Sequence, residues 1–367
     1  MTNSAKKSRS QVKLFQFFSS VCKSLFIEKR MPWKLQRVIT LVKINGLRSI
    51  ITSIRFFIKK PKYRIVVSSI YFGGIGGTEK NLMSLVSSMN DCLFYIHADN
   101  INAEGFVPST NNYFVNMGIP SNINFDLYFY YAGGGYAKYL GDRYSFKTNM
   151  IITNANDIRP LENNFEHILI QSENYPDFFN QHKKRLLAFP PVPLTLPKQE
   201  KKVDLPENYL ITVFNPFDGK QKGYDIFLKA ADHSQIPIVW CFNDKTSVKH
   251  DILPDHPNIV RMPNLSQEEL YYVYKNAQAL VSFSNYESFG WVLAEAFFCG
   301  IPIISRKTGF LDYVYKQKGI NIYSNEQELF DLLSTKKTLK PKYSYKLFEH
   351  NSYKKVIYKL LSQEHDS

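Results

Sequence analysis

NYESFGWVLAEAFFCGIPII, residues Asn285–Ile304, is apolar enough to be core, yet it carries two glutamates, Glu287 and Glu295. From Trp291 to Cys299, Glu295 is the only charge. Gly300 fits a helix C′ position and Pro302 forbids continuation, so the run predicts a short buried helix. The "IPIIS" that follows reads as a buried strand, because its β-branched residues are bunched rather than alternating. A carboxylate in such a helix is costly unless something pairs with it. The plainer alternative is a glutamate that reaches solvent from the helix end. Glu287 sits just before Phe289-Gly290, where the helix should begin, and a helix start with a small residue offers free N–H groups to an anion. Eight helical residues at ~1.5 Å each span roughly 12 Å. That is too far for two carboxylates acting on one glycosidic bond. It suits a ligand with hydroxyls at both ends and a negative middle, the shape of a sugar nucleotide.

Composition narrows the surroundings. The chain has 367 residues, a length that favours two domains, and 44% hydrophobic residues supply ample core. Cys22, Cys92, Cys241 and Cys299 form no C-x-x-C pair, a reduced, cytosolic pattern. The eight histidines show no metal-ligand spacing, and no two aspartates are separated by a single residue. A bound metal or other cofactor is therefore not expected. The net charge of +14 is concentrated at one end. Residues 1–64 hold 16 lysines and arginines against the single acid Glu28, whereas the remainder holds 30 basic and 31 acidic residues. The longest uncharged stretch of that arm, Leu14–Cys22, has nine residues, well short of the ~20 that span a bilayer. Basic residues interrupt every apolar stretch, so the arm does not resemble a cleaved signal. Its mixture of large apolar and basic residues, as in "KLFQFFSSVCKSLFIEKR", fits a helix lying on an anionic membrane surface. Basic helices packed on the body are the structural alternative. No nucleic-acid-binding motif accompanies the charge, and a nucleic-acid partner is not expected.

Along the chain, strand-like and helix-like segments alternate. "RIVVSSI" is a strand, "YFGGIGGTEKNL" a glycine loop entering a helix, and "LFYIH", "FDLYFYYAGGGYA", "MIITNANDIRP" and "HILIQS" further strand units. "FPPVPLTLPKQEKKVDLPEN" reads as a linker. The pattern then restarts with "YLITVF", "GYDIFLKAAD", "IPIVWCF", "SQEELYYVYKNA" with a capping box of Ser266 and Glu269, and "ALVSFS". The expected architecture is α/β: two Rossmann-like domains facing a cleft, preceded by a basic amphipathic arm. The expected bounds are the arm over 1–61, a first domain over 62–195, a linker over 196–206, a second domain over 207–344 and a C-terminal helix over 345–367.

Other features share the chemistry of the glutamate pair, each with a plainer reading beside it. Lys222-Gly223 opens a helix just beyond a strand, placing an ammonium where a phosphate would bind, though turns also carry surface lysines. Gly73, Gly74, Gly76 and Gly77 permit close backbone approach at another helix start, as they would in any tight turn. Asn156-Asp157 follows a strand and reads by itself as a turn.

Together these residues resemble glycosyltransferase family 4. Glu287-Ser288-Phe289-Gly290, with Glu295, Gly300-Ile301-Pro302 and Gly309 downstream, resembles that family's E-x7-E signature, Asn215-Pro216 and Lys222-Gly223 its diphosphate loop, and Gly76-Gly77-Thr78-Glu79 its N-terminal GG-x-E loop. The match is dense over about 207–315, looser over 63–195 and absent over 1–60. The resemblance implies the two-Rossmann type B fold and metal-independent, retaining transfer from a nucleotide-sugar. Carried over, Glu295 holds the ribose diol, Lys222 the diphosphate and Glu287 the donor sugar. Ser288, Phe289, Gly290, Asn215 and Gly223 line the donor, and Gly76, Gly77 and Thr78 form the facing loop. Two features depart from the family. "NPFDGKQ" has no arginine ahead of Lys222, and where the family often has a histidine this chain has Tyr128, Tyr130 and Asn156. Asn156, Asp157 and Tyr130 are the acceptor-side candidates. The expected role is sugar transfer to a glycan or lipid-linked acceptor of a bacterial surface polysaccharide or glycolipid, at the cytoplasmic face of the membrane. The alternatives are a weakly catalytic scaffold subunit and a sugar phosphorylase or sugar-phosphate synthase of the same fold.

Overall fold

The computed structural model describes residues 52, 60–72, 77–101, 112–116, 124–131, 145–152, 165–173, 184–194, 196–216, 219–243, 255–334 and 340–363. Of the basic arm, only Thr52, Lys60 and Pro61 fall among them.

The first half builds a seven-stranded sheet from β1 (Arg64–Phe72), β2 (Leu93–Ile101), β3 (Tyr113–Val115), β4 (Phe125–Tyr131), β5 (Phe146–Ile152), β6 (His167–Ile170) and β7 (Arg185–Leu187). The order is β3-β2-β1-β4-β5-β6-β7, and every pairing is parallel. Helix α1 (Gly77–Ser88) follows β1. The central strands are apolar and buried on both faces: Ile65, Val66 and Val67 of β1, and Leu127 with Phe129 of β4, are essentially inaccessible. Helix-covered parallel strands have no solvent face, so their sequences do not alternate.

The second half repeats the plan with β8 (Leu210–Val213), β9 (Ile238–Phe242), β10 (Ile259–Pro263), β11 (Ala279–Val281), β12 (Ile303–Ser305) and β13 (Ile320–Ile322). Their order, β10-β9-β8-β11-β12-β13, is again wholly parallel. Four helices punctuate it: α2 (Tyr224–His233), α3 (Gln267–Asn276), α4 (Trp291–Cys299) and α5 (Leu311–Val314). Then come α6 (Glu326–Ser334), α7 (Lys346–His350) and α8 (Tyr353–Gln363). Ser266 caps α3 through the reciprocal box with Glu269 that the sequence predicts. Gly300 ends α4 in the left-handed conformation, φ 73°. Both sheets therefore show the doubly wound order, reversing between β1 and β4 and between β8 and β11. Ligands of such sheets bind beyond the carboxyl ends of the strands at that reversal.

Two stretches differ from the sequence expectation. The front of the proline-rich stretch that begins at Phe189, ahead of the expected linker bounds of 196–206, is not a tether, because Phe189 and Val192 are fully buried in the second sheet's core. The C-terminal segment is two helices rather than one. The second of them, α8, returns to the first sheet, where Tyr353, Ile357, Leu360 and Leu361 join Tyr63, Leu82, Val86 and Phe94 in one core. The two chain crossings lie side by side. The Phe189 N–H donates to the Asn351 carbonyl at 2.7 Å, and the Tyr353 N–H donates to the Phe189 carbonyl at 3.0 Å. Among the described residues no helix is long and apolar enough to cross a membrane.

The Tyr353 hydroxyl is buried in the first sheet's core, accepting from Gln171 Nε2 at 2.7 Å and donating to Asn81 Oδ1. Tyr353→Phe removes the hydroxyl partner of Asn81 Oδ1 and Gln171 Nε2, and a buried unsatisfied group costs ~1–3 kcal/mol. Thermal unfolding should therefore show a lower Tm for Tyr353→Phe, while Tyr345→Phe, at an exposed ring, should melt like the native protein.

Candidate functional site

The loops leaving β8 and β11 meet at the second sheet's reversal point. The loop from β8 winds into a 3-10 turn, Gly219–Lys222, and then enters α2 through Gly223. Gly223 has φ 68°, and a Cβ there would lie 2.1 Å from the Phe283 carbonyl oxygen. Only glycine lets the two loops close to this distance. The Asn285 N–H donates to the Gln221 carbonyl at 2.8 Å and fixes the same junction.

That junction places Lys222 Nζ 2.7 Å from Glu287 Oε1, with side chains 23% and 15% exposed. Glu287 is itself held from a third loop, since its N–H donates to Thr308 Oγ1 at 2.6 Å. Gly309, φ 59°, approaches so closely that a Cβ would fall 2.4 Å from the Phe289 carbonyl oxygen. The Phe310 N–H donates to that oxygen at 3.0 Å. Gly290 begins α4 with φ 81° and offers no side-chain cap. No side chain competes there for the first-turn N–H groups, so a cation and a helix start converge beside one carboxylate.

The remaining sequence candidates divide by position. Glu295 lies on α4 as expected and is 5% exposed, among the buried Leu293, Ala294, Ala296 and Phe297. Its partner is Lys80 of α1, with Nζ 2.5 Å from Oε1. Asn215 Oδ1 accepts the Asn243 N–H at 2.9 Å, joining the loops after β8 and β9. Ser288 is half-buried between Glu287 and Phe289. The Phe289 ring is core, packed on Phe189 and Phe310 at centroid distances of 6.2 and 5.7 Å, so only its backbone can face a ligand. Gly77 and Thr78 begin α1. Tyr130 is fully buried beside Phe165, at 5.6 Å between rings. Gly73, Gly74, Gly76, Asn156 and Asp157 lie outside the described residues.

Lys80 and Thr308 were missed by sequence reasoning. Lys80 directly follows the glycine loop and Gly77-Thr78-Glu79, which was the available signal, but its partner is 215 positions away. A second crossing contact was equally invisible: Asp312 Oδ2 accepts from Ser172 Oγ at 2.5 Å and from the Glu173 N–H at 2.9 Å. Burial pushes the thiol of Cys92 up to about 11 and that of Cys299 up to about 12. Neither is a thiolate nucleophile at neutral pH. Among the described residues no three His, Cys, Asp or Glu side chains gather as a metal site.

Residues 197–331 match the family model of glycosyl transferases group 1. No curated protein matches the chain. Among solved structures, Anabaena HepE, described in complex with UDP and glucose, aligns with a TM-score of 0.51 at 14% identity, over 82% of this chain and 95% of its own. The lipopolysaccharide outer core galactosyltransferase WaaB aligns at 0.51 and 11% identity, over 81% and 98%. The sucrose-phosphate synthase of Thermosynechococcus elongatus aligns at 0.50 and 11%, over 83% and 94%. The likeness establishes the two-sheet GT-B fold.

The glycine geometry can be tested by pairing two substitutions. Gly223→Ala combines left-handed backbone with a clash against Phe283 and should cost ~2 kcal/mol or more. Gly300→Ala is also left-handed, φ 73°, but its Cβ meets nothing within 4 Å, so it should cost only ~1 kcal/mol. Denaturant unfolding should rank them in that order.

Proposed function

We propose that this protein is a retaining glycosyltransferase that moves a sugar from a nucleotide-sugar donor to a glycan or lipid-linked acceptor. The observation that carries the reading is the Lys222–Glu287 pair at the head of α2 and α4, 2.7 Å apart at the sheet's reversal point. A diphosphate laid across these two helix starts meets the Lys222 ammonium and the α4 N–H groups. Lys222 then exchanges part of its bond to Glu287 for phosphate oxygens. Glu287 is left to accept hydrogen bonds from sugar hydroxyls, and Glu295 to accept from the ribose diol. Charge developing on the departing diphosphate falls on groups already aimed at it, which is the largest catalytic contribution in most enzymes. In this reading no metal takes part. Retention at the anomeric carbon rests on the E-x7-E resemblance of Glu287 and Glu295.

The acceptor class rests on charge. Residues 1–64 hold a net +15 on a chain otherwise near neutral, and each lysine or arginine near an anionic leaflet contributes about 1 kcal/mol. We assign the protein to the cytoplasmic face of a bacterial membrane, building a surface polysaccharide or glycolipid. Full-length protein should co-sediment with anionic vesicles, less so at high salt, while a chain beginning at Lys62 should stay in solution and still bind donor. Equal vesicle binding by both, or by neither, rules out the membrane assignment.

The chemistry is tested more directly. A thermal-shift screen against UDP-, GDP-, dTDP- and CMP-sugars should single out one nucleotide, since ligand at 100 times Kd stabilises by about 2.7 kcal/mol. A flat screen defeats the reading. Glu287→Gln should leave the fold intact and lower turnover by ~100-fold or more, the scale of losing a group that stabilises transition-state charge. Lys222→Ala should weaken nucleotide binding as well. Turnover should survive EDTA; loss in EDTA that Mg²⁺ or Mn²⁺ restores would show that the diphosphate is held by a metal instead.

A further inference from the structure

The donor site described above draws on the second sheet alone, but its buried carboxylate is held from the first. Lys80 Nζ lies 2.5 Å from Glu295 Oε1, and both side chains are 7% exposed. Lys80 falls outside the segment that matches the family model. We propose that Lys80, contributed from the first sheet, is a positioning residue of the donor site, which holds the Glu295 carboxylate oriented for the ribose diol. The inference rests on the glycosyltransferase reading and extends it to the first half of the chain.

Three observations carry it. Glu295 is enclosed by apolar neighbours on its own helix, so without a cation it would be an uncompensated buried charge. Lys80 meets that need from an anchored support. The next residue, Asn81, is bonded to Tyr353 and Gln171, and its carbonyl accepts from Ser84 Oγ at 2.8 Å. The ammonium therefore arrives in a fixed place rather than on a free arm. Finally, a carboxylate has about four lone-pair sites, so the Lys80 ammonium on Oε1 and the neighbouring Tyr274 hydroxyl still leave room for two hydroxyl donors. Lys80 thus acts through Glu295 and need not touch the ligand.

A purely structural ion pair would change stability but not ligand discrimination, and this separates the two. Calorimetry would first find which of UDP, GDP, dTDP, ADP and CMP binds the full-length protein, and then measure its 2′,3′-dideoxy analogue. The native protein should prefer the parent nucleotide by about tenfold or more, because a site built to bond hydroxyls rejects ligands that lack them. Lys80→Met should bring that preference close to one by weakening the parent and leaving the analogue nearly unchanged; Lys80→Arg should restore most of it. Lys80→Met combined with Glu295→Gln should bind the parent no more weakly than Glu295→Gln alone, a comparison that holds even if Lys80→Met by itself fails to fold. An undiminished preference in Lys80→Met, or added weakening in the double variant, overturns the proposal while leaving the glycosyltransferase reading standing. A native protein that binds the parent and analogue equally well also overturns it. Failure of the native protein to bind any nucleotide overturns that reading and this inference together.

Discussion

Phe189 is bonded through both of its backbone groups to the segment Asn351–Tyr353, and the relation of the two sheets depends on this junction. A parallel sheet must be covered on both faces, and the first sheet completes its cover with a helix from the far end of the chain. α8 can reach that face only because the returning strand runs beside the outgoing one at Phe189. Once it docks, Tyr353 lies against Asn81 on α1, and the neighbouring Lys80 is set against Glu295. One crossing therefore decides which residues of the first half face the second. The Asp312 contacts to Ser172 and Glu173 brace the same boundary from another side.

The site that results stores its charges in pairs. Lys222 neutralises Glu287, and Lys80 neutralises Glu295. Both pairs are mostly shielded from water, so removing one partner leaves a charge that the surroundings cannot solvate. A ligand that brings its own diphosphate and hydroxyls can enter by exchanging bonds rather than by uncovering bare charge. The two pairs differ in what holds them. Lys222 and Glu287 are brought together by close backbone contacts within the second sheet, at Gly223 and Gly309. Lys80 and Glu295 are brought together by the relation of the two halves. Any change in that relation therefore acts on the Lys80–Glu295 pair before it reaches the Lys222–Glu287 pair.

Local signals in the sequence were dependable where they carried a stereochemical reason. The apolar run before Gly300-Ile301-Pro302 forms α4 and ends in a left-handed glycine, and Ser266 with Glu269 caps α3. Of the five three-residue strands, β11 and β12 were legible inside the apolar runs "ALVSFS" and "IPIIS", whereas β3, β7 and β13 escaped notice because so short a run shows no period of its own. β10, Ile259–Pro263, hides its pattern behind Arg261 and a terminal proline. The burial of Phe189 beside two prolines overrode a composition that reads as tether. Within the site, Glu287, Lys222 and Gly223 were legible because they adjoin helix starts. The partner of Glu295 was not, because no local pattern links position 80 to position 295. The expectation that something must pair with that carboxylate came from burial energetics alone, and the partner emerged only from the fold.

Hydrogen–deuterium exchange with and without a saturating sugar nucleotide tests the central claim most directly, that the donor lies at the second sheet's reversal point and is completed from the first. The account predicts protection in three separate stretches: 219–224, 285–295 and the first turns of α1 around Lys80. Protection confined to other surfaces, with these three stretches unchanged, would contradict it.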